Sequence, residues 1–204
     1  MRKNIYIKYI KRIFDILISI GVIVSFSWFY FIITIFLFFF QGRPIIYKQK
    51  RKTLNGKDFE IYKFRSMKVD AEELKERFTE KEKKEYESNY KLKIDKRTTK
   101  IGKILRKTSI DELPQFVNIL KGDMAFIGPR PIVEKELKMY KKDKDKLLSI
   151  KPGLIGYWQA YATEETTYEE RMKMELFYVD NASLIFDIKI FFKSIYTVVR
   201  KSIS

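Results

Sequence analysis

An apolar run from about Ile16 to Phe40, interrupted only by Ser19, Gly21, Ser25, Ser27 and Thr34, constrains this chain more than any other feature. As one helix its roughly 25 residues would extend about 37 Å, enough to cross a hydrocarbon core of about 30 Å. The run is too long for the apolar part of a secretory signal and ends without a small-residue cleavage site, so it reads as an uncleaved membrane anchor. Arg2, Lys3, Lys8, Lys11 and Arg12 precede it, and Arg43, Lys48, Lys50, Arg51 and Lys52 follow. Lys and Arg favour the cytoplasmic side, so a single span receives opposite instructions from its two ends. A re-entrant hairpin satisfies both, with residues 1–41 as anchor and 42–204 as a cytoplasmic domain. The alternative is one span that carries a basic flank across. Ser25 and Ser27 can return hydroxyl bonds to helical carbonyls and help bend the run.

The chemistry open to the chain is narrow. It contains no cysteine and no histidine, which excludes disulfides, thiolate catalysis and Cys-ligated zinc and removes the commonest general base. Carboxylates, hydroxyls, Lys and Arg remain, a donor set suited to hard cations such as magnesium. The formal charge of +16 over 204 residues points to a polyanionic partner: phosphates, nucleic acid or an anionic lipid surface.

Beyond the run, IIYKQK and KDFEIYKF alternate apolar with polar residues around Leu54-Asn55-Gly56-Lys57, the pattern of a β-hairpin. Residues 68–93 are rich in Glu and Lys, as in a solvated helix or insert outside the chemistry. Shorter helical segments follow, punctuated by Gly128-Pro129 and Lys151-Pro152-Gly153. From Ser183 to Arg200, helical spacing puts Leu184, Ile188, Phe191, Ile195 and Val198 on one stripe, which suits either a membrane surface or a protein core. The expected fold is mostly α with a small β-hairpin (α+β), carrying an N-terminal re-entrant membrane hairpin and amphipathic interfacial helices.

Candidate chemistry concentrates between Lys103 and Pro131. Ser109-Ile110-Asp111-Glu112 fits a capping box, with the Ser109 hydroxyl on a helix N-terminus and Glu112 reaching back. The same placement puts a carboxylate at the positive end of a helix, which favours its ionised form, and an ionised Asp is a competent nucleophile toward phosphorus. Glu112 can bind magnesium or handle a proton. Arg130, fixed between Pro129 and Pro131, presents a planar charged fork suited to phosphate oxygens. Lys63, Arg65 and Arg106 are further phosphate-binding candidates.

The ordered set KRIFDILIS (11–19), YKFRSM (62–67), Asp95 with Arg97, KIGKILRKTSIDELPQFVNILKGDMAFIGPRP (100–131), KPGLIGYWQ (151–159) and FYVDNASLIFDIKI (177–190) resembles the bacterial sugar transferase family. These are monotopic phosphoglycosyl transferases, which start the assembly of polyprenyl-linked surface glycans such as exopolysaccharide and capsule. The resemblance implies that Asp111 is the nucleophile of an Asp-Glu dyad with Glu112, both near magnesium, and that the mechanism is ping-pong. In it Asp attacks the β-phosphate of a UDP-sugar, UMP leaves, and polyprenyl phosphate takes the phosphosugar at the cytoplasmic leaflet of the inner membrane. The nucleotide sugar is the only nucleotide partner implied, and a second copy of the chain is a candidate partner. Larger members carry further transmembrane helices ahead of this domain, which are missing from this sequence.

Two positions depart from the family pattern. Members usually have Ser-Pro in the middle of the apolar segment, where this chain has Ser27-Trp28, and many continue with Gly-Arg after Gln159, where this chain has Ala160-Tyr161. Gln159 is therefore a candidate nucleotide or sugar contact in an altered loop. Two competing functions accommodate the charge and the anchor: a membrane-tethered nucleic-acid-binding protein, and a catalytically silent adaptor. The first leaves the dyad and the Pro-flanked Arg without a role, and intact Asp111 and Glu112 weigh against the second.

Overall fold

The computed structural model describes residues 5–89, 92, 94–163 and 165–203. The apolar run is two helices. A π-helical turn, Tyr6–Ile10, leads into α1 (Lys11–Ser25), and after a break at Phe26 (φ −104°, ψ 12°) α2 follows (Ser27–Gln41). Among the described residues no single helix is long and apolar enough to cross a membrane; Tyr6–Ser25 and Ser27–Gln41 are so only as a pair, bent by 62°. The bend sits immediately before Ser27-Trp28 and needs no proline. The Phe26 and Tyr30 N–H groups donate to Val22 and Phe26 carbonyls at 2.9 Å, so backbone bonding continues through the corner. No Ser25 or Ser27 hydroxyl bond occurs among the described residues, so that expected bending device is not used.

α1 is not apolar on all sides in its packing. Ile13, Phe14, Leu17, Ile20 and Val24 face outward, while Ile18, Val22 and Ile23 join the core formed by Phe59, Ile61, Phe116, Ile119 and Met124. Polar groups on the inner face fasten it: Asp15 accepts the Phe126 N–H at 2.8 Å, and the Arg12 guanidinium donates to the Ile119 and Leu120 carbonyls at 2.5 and 2.7 Å. Carbonyls at the end of a helix lack intrahelical donors, so Arg12 both satisfies them and opposes the negative end of the dipole. Lys11, Tyr6 and Tyr178 converge on the buried Asp187 carboxylate, joining the start of the chain to its last helix.

β1 (Ile46–Lys52) and β2 (Asp58–Phe64) form the expected antiparallel hairpin, in register from Ile46 opposite Phe64 to Lys52 opposite Asp58. Its turn places Asn55 and Gly56 at φ 58° and 74°, the left-handed pair that matches strand twist. The Glu- and Lys-rich segment gives α3 (Ala71–Glu76) and α4 (Glu80–Asn89). They close over Arg97, which forks onto Asp95 at 2.7 and 2.9 Å and lies under the Phe78 and Tyr86 rings.

The centre is built from α5 (Lys100–Lys107), a 3-10 turn at Ile110–Glu112, α6 (Gln115–Lys121), β3 (Ala125–Ile127), α7 (Glu134–Met139), α8 (Lys144–Leu147) and β4 (Gly153–Ile155). β3 and β4 pair in parallel, Ala125 with Gly153 and Ile127 with Ile155. The two breakers in the sequence thus face each other: a Cβ on Gly153 would lie 2.0 Å from the Gly128 nitrogen, so only glycine lets the backbones meet. α9 (Tyr157–Tyr161), α10 (Tyr168–Asn181) and α11 (Leu184–Ile203) complete the chain.

On α11 the core face is not the expected stripe. Asp187 and Ile190 are buried, while Ile185, Ile188, Phe192, Ile195 and Tyr196 are exposed. The helix uses a polar anchor, Asp187, on its inner side beside Ile190 and keeps a second apolar face exposed. The side chain of Val198 lies outside the described residues.

Candidate active site

Asp111 sits in the 3-10 turn between α5 and α6 and is 6% exposed. The expected capping box is not formed. Ser109 adopts a left-handed conformation, φ 57° and ψ 16°, and makes no side-chain cap bond; α6 begins only after Pro114. A left-handed Ser carries a steric cost, and here it reverses the chain so that Asp111 points inward while Glu112 remains partly exposed.

The electrostatics also differ from expectation. Burial pushes the Asp111 carboxyl up to about 6; the Lys63 charge opposes the shift, Glu112 adds to it, and Arg106 opposes it. Position near a helix start does not govern this group, because desolvation of a carboxylate outweighs a dipole effect of about 1 kcal/mol. Glu112 goes the other way. Burial pushes it up, and the Lys63 charge and hydrogen bond, with the Arg130 charge, more than reverse that. The Lys63 ammonium lies 2.6 Å from Glu112 Oε1. Two adjacent carboxyls therefore have opposed protonation tendencies, an arrangement associated with divided catalytic roles.

Lys63 reaches the dyad from the end of β2. Arg106, on the last turn of α5, is exposed and donates from Nε to the Ser66 hydroxyl at 2.9 Å and from a terminal nitrogen to Thr98 at 3.3 Å. Arg65 points elsewhere: it is buried and caps the end of α2, donating to the carbonyls of Gln41, Gly42 and Arg43. Gln159 is exposed on α9 and makes no interaction with Asp111 or Glu112 among the described residues. Ser27 and Trp28 begin α2 at the bend, with Trp28 61% exposed.

Arg130 is held at three backbone points. The Pro129 carbonyl accepts the Gly153 N–H at 2.7 Å, the Arg130 N–H donates to the Glu175 carboxylate at 3.1 Å, and the Pro131 carbonyl accepts from Arg51 at 3.0 Å. Burial, with Arg171 nearby, lowers the Arg130 pKa, and Glu136, Glu112 and Glu175 supply the opposing charge. Glu175, fully enclosed on α10, is raised by burial to about 7 even though Arg171 and Arg130 oppose the shift. Glu136 lies between Arg51 and Arg171 at 3.9 and 3.7 Å. Sequence reasoning did not find Arg51, Glu136, Arg171 or Glu175. The only signal was the i, i+4 spacing of Arg171 and Glu175, which is common on solvated helices.

The largely buried Asp111, Glu112 held by Lys63 and Arg130 fixed through its backbone make up the candidate site, and the chain belongs to the bacterial sugar transferase family, whose model matches residues 6–201. Among individual proteins it is 40% identical over 200 residues to the undecaprenyl-phosphate galactose phosphotransferase of Salmonella typhimurium, covering 95% of this chain and 41% of that one. It is 38% identical to the UDP-galactose-lipid carrier transferase of Erwinia amylovora, covering 95% and 41%. The exopolysaccharide production protein ExoY of Sinorhizobium fredii is 37% identical over 91% of this chain and 83% of its own length. The chain thus spans about two-fifths of the first two relatives and most of the third.

Proposed function

We propose that this chain transfers a sugar phosphate from a UDP-sugar to polyprenyl phosphate, releasing UMP, through a covalent intermediate on Asp111. The observation that carries the reading is Asp111 itself: a buried carboxyl raised to about 6, beside a Glu held ionised by Lys63 and within reach of the Arg130 charge. Raised by burial to about 6, Asp111 still favours the ionised form at pH 7 and is less well solvated than a surface carboxylate. An Asp111 carboxylate oxygen attacks the β-phosphorus, and the bond to the bridging oxygen breaks so that UMP leaves. A phosphate oxygen of the polyprenyl acceptor then attacks the same phosphorus, releases the Asp111 carboxylate and forms the polyprenyl diphosphosugar.

Arg130, preset by Glu175, Arg51 and Gly153, holds phosphate oxygens in one plane, and Lys63 and Arg106 add charge around the reacting anions. Arg65 is assigned to the end of α2 instead. Among the described residues no three acidic, His or Cys side chains gather to hold a metal. Asp111 and Glu112 offer two hard oxygen donors, which fits magnesium, since it takes one or two carboxylates and completes its shell with phosphates and water. Bound there, it would neutralise charge on the diphosphate. The chain's own residues orient the donor, and the small opening at Asp111, 6% exposed, limits water around the intermediate.

The bent α1–α2 pair and the exposed apolar faces of α1 and α11 support a re-entrant, cytoplasmic-leaflet placement, where a lipid acceptor and a soluble donor meet. Names of relatives that act on undecaprenyl phosphate support the acceptor class. The test is protein incubated with a panel of UDP-sugars and magnesium without lipid. A phosphosugar adduct on Asp111 is expected by intact mass after acid quench, discharged on adding polyprenyl phosphate. Turnover without an adduct, with kinetics that need both substrates bound together, overturns the covalent mechanism.

A further inference from the structure

A cleft of about 400 Å³ opens where α2 ends, lined by Phe40, Arg65, Lys68, Val69, Lys100 and Ile101 among others. That volume falls within the roughly 300–1,000 Å³ typical of small-molecule sites. It is not the Asp111 site: Lys100 starts α5, whereas Arg106 and the turn carrying Asp111 lie at its other end, about 10 Å along the helix.

The cleft has two chemically different walls. One is cationic and rich in donors. Lys68 and Lys100 are exposed, and neither has a carboxylate partner among the described residues. The N–H groups of Lys100 and Ile101, the first two of eight residues in α5, have no acceptor among the described hydrogen bonds, since the Thr99 hydroxyl caps Gly102 instead. Arg65, 6% exposed, has a buried Nε without a hydrogen-bond partner. The other wall is apolar and continuous with the outer surface of α2, where Phe36, Phe39 and Phe40 are 41%, 76% and 68% exposed.

An ammonium pair and a helix start suit a phosphate, and the aromatic ridge running away from them suits hydrocarbon chains. We propose that this cleft binds the phosphodiester headgroup of an anionic glycerophospholipid of the surrounding leaflet, with its acyl chains along Phe36, Phe39 and Phe40. This rests on the membrane reading of the α1–α2 pair. The bound lipid fixes the depth at which α2 leaves the bilayer, and through Gln41 it acts on the chain at Arg65 and Thr99 (Gln41 Nε2 donates to the Arg65 carbonyl at 3.3 Å, and Thr99 donates to Gln41 Oε1 at 3.1 Å).

The test uses the full chain in non-ionic detergent, titrated with phosphatidylglycerol or phosphatidylcholine and read by native mass spectrometry. One phosphatidylglycerol should be retained, and a Lys68→Gln/Lys100→Gln variant should weaken its apparent affinity by about 10-fold. Lys142→Gln/Lys144→Gln, an equal charge change at a distant exposed site, should leave it unchanged. Equal weakening in both variants means diffuse attraction and overturns the site. Displacement of the lipid by millimolar inorganic phosphate identifies a free-anion site and overturns the lipid assignment. Flotation with phosphatidylcholine vesicles separates the two readings. Wild type and both variants should float; if none does, the membrane reading fails and the lipid site with it. Flotation with unchanged phosphatidylglycerol retention in Lys68→Gln/Lys100→Gln overturns the lipid site alone.

Discussion

Asp111→Asn should abolish transfer and make the protein more stable, and the stability gain should depend on pH in a defined way. The Asp111 carboxyl is raised from 3.8 to about 6, chiefly by burial. A shift of about 2 units corresponds to roughly 3 kcal/mol between the two protonation states. The group is an acid whose folded pKa lies above its unfolded value. Between pH 4 and 6 the folded state keeps a proton that the unfolded chain has released, so stability falls as pH rises through that window and stays lower above it. Asn has no charge to desolvate and escapes the loss. Its advantage over wild type should be small near pH 4 and reach about 1–3 kcal/mol at pH 7.5, or roughly 2–4 °C in midpoint per kcal/mol. Paired thermal or urea unfolding in non-ionic detergent at the two pH values measures it. An Asn variant no more stable than wild type at pH 7.5, or a gap of equal size at both pH values, would refute desolvation as the origin of the Asp111 shift.

Ser109→Gly should stabilise by up to about 1 kcal/mol, because glycine adopts φ 57° without a Cβ clash; a loss of about 1 kcal/mol on Ser109→Ala alone, with no gain for Gly, would restore the capping box. Arg130→Lys should lower kcat/KM for the donor by about 10-fold or more, since an ammonium keeps the charge but not the planar fork; unchanged kcat/KM counts against a phosphate clamp. Membrane topology can be read from single cysteines at the exposed Lys8 and Lys57 in this cysteine-free chain. An impermeant thiol reagent should label neither in intact cells and both after permeabilisation, whereas labelling of the Lys8 position alone establishes a single span.

The sequence by itself determined those features whose physics is local. The β-hairpin follows from alternation and from Asn55-Gly56, which tolerate positive φ. The family follows from the ordered motifs, and hard-cation, carboxylate-based chemistry follows from the absence of Cys and His. The tertiary structure decided whatever depends on a neighbour distant in the chain. Ser109 to Glu112 has the spacing of a capping box, but Ile110 and Leu113 pack beside Leu37, Phe64 and Leu105, and in the turn that results Ser109 is left-handed and Asp111 is buried. Arg65 reads as a phosphate ligand from its neighbours in YKFRSM, yet the open carbonyls at the end of α2 claim it. Arg130 was legible between its prolines, whereas Glu175, Arg51 and Gly153, which fix its backbone, come from three other segments. Lys11 and Arg12 read as an anchor's basic flank and turn out, with Asp15, to join α1 to α6, β3 and α11, because a charged group on the inner face of a helix must find its partner wherever the fold supplies one.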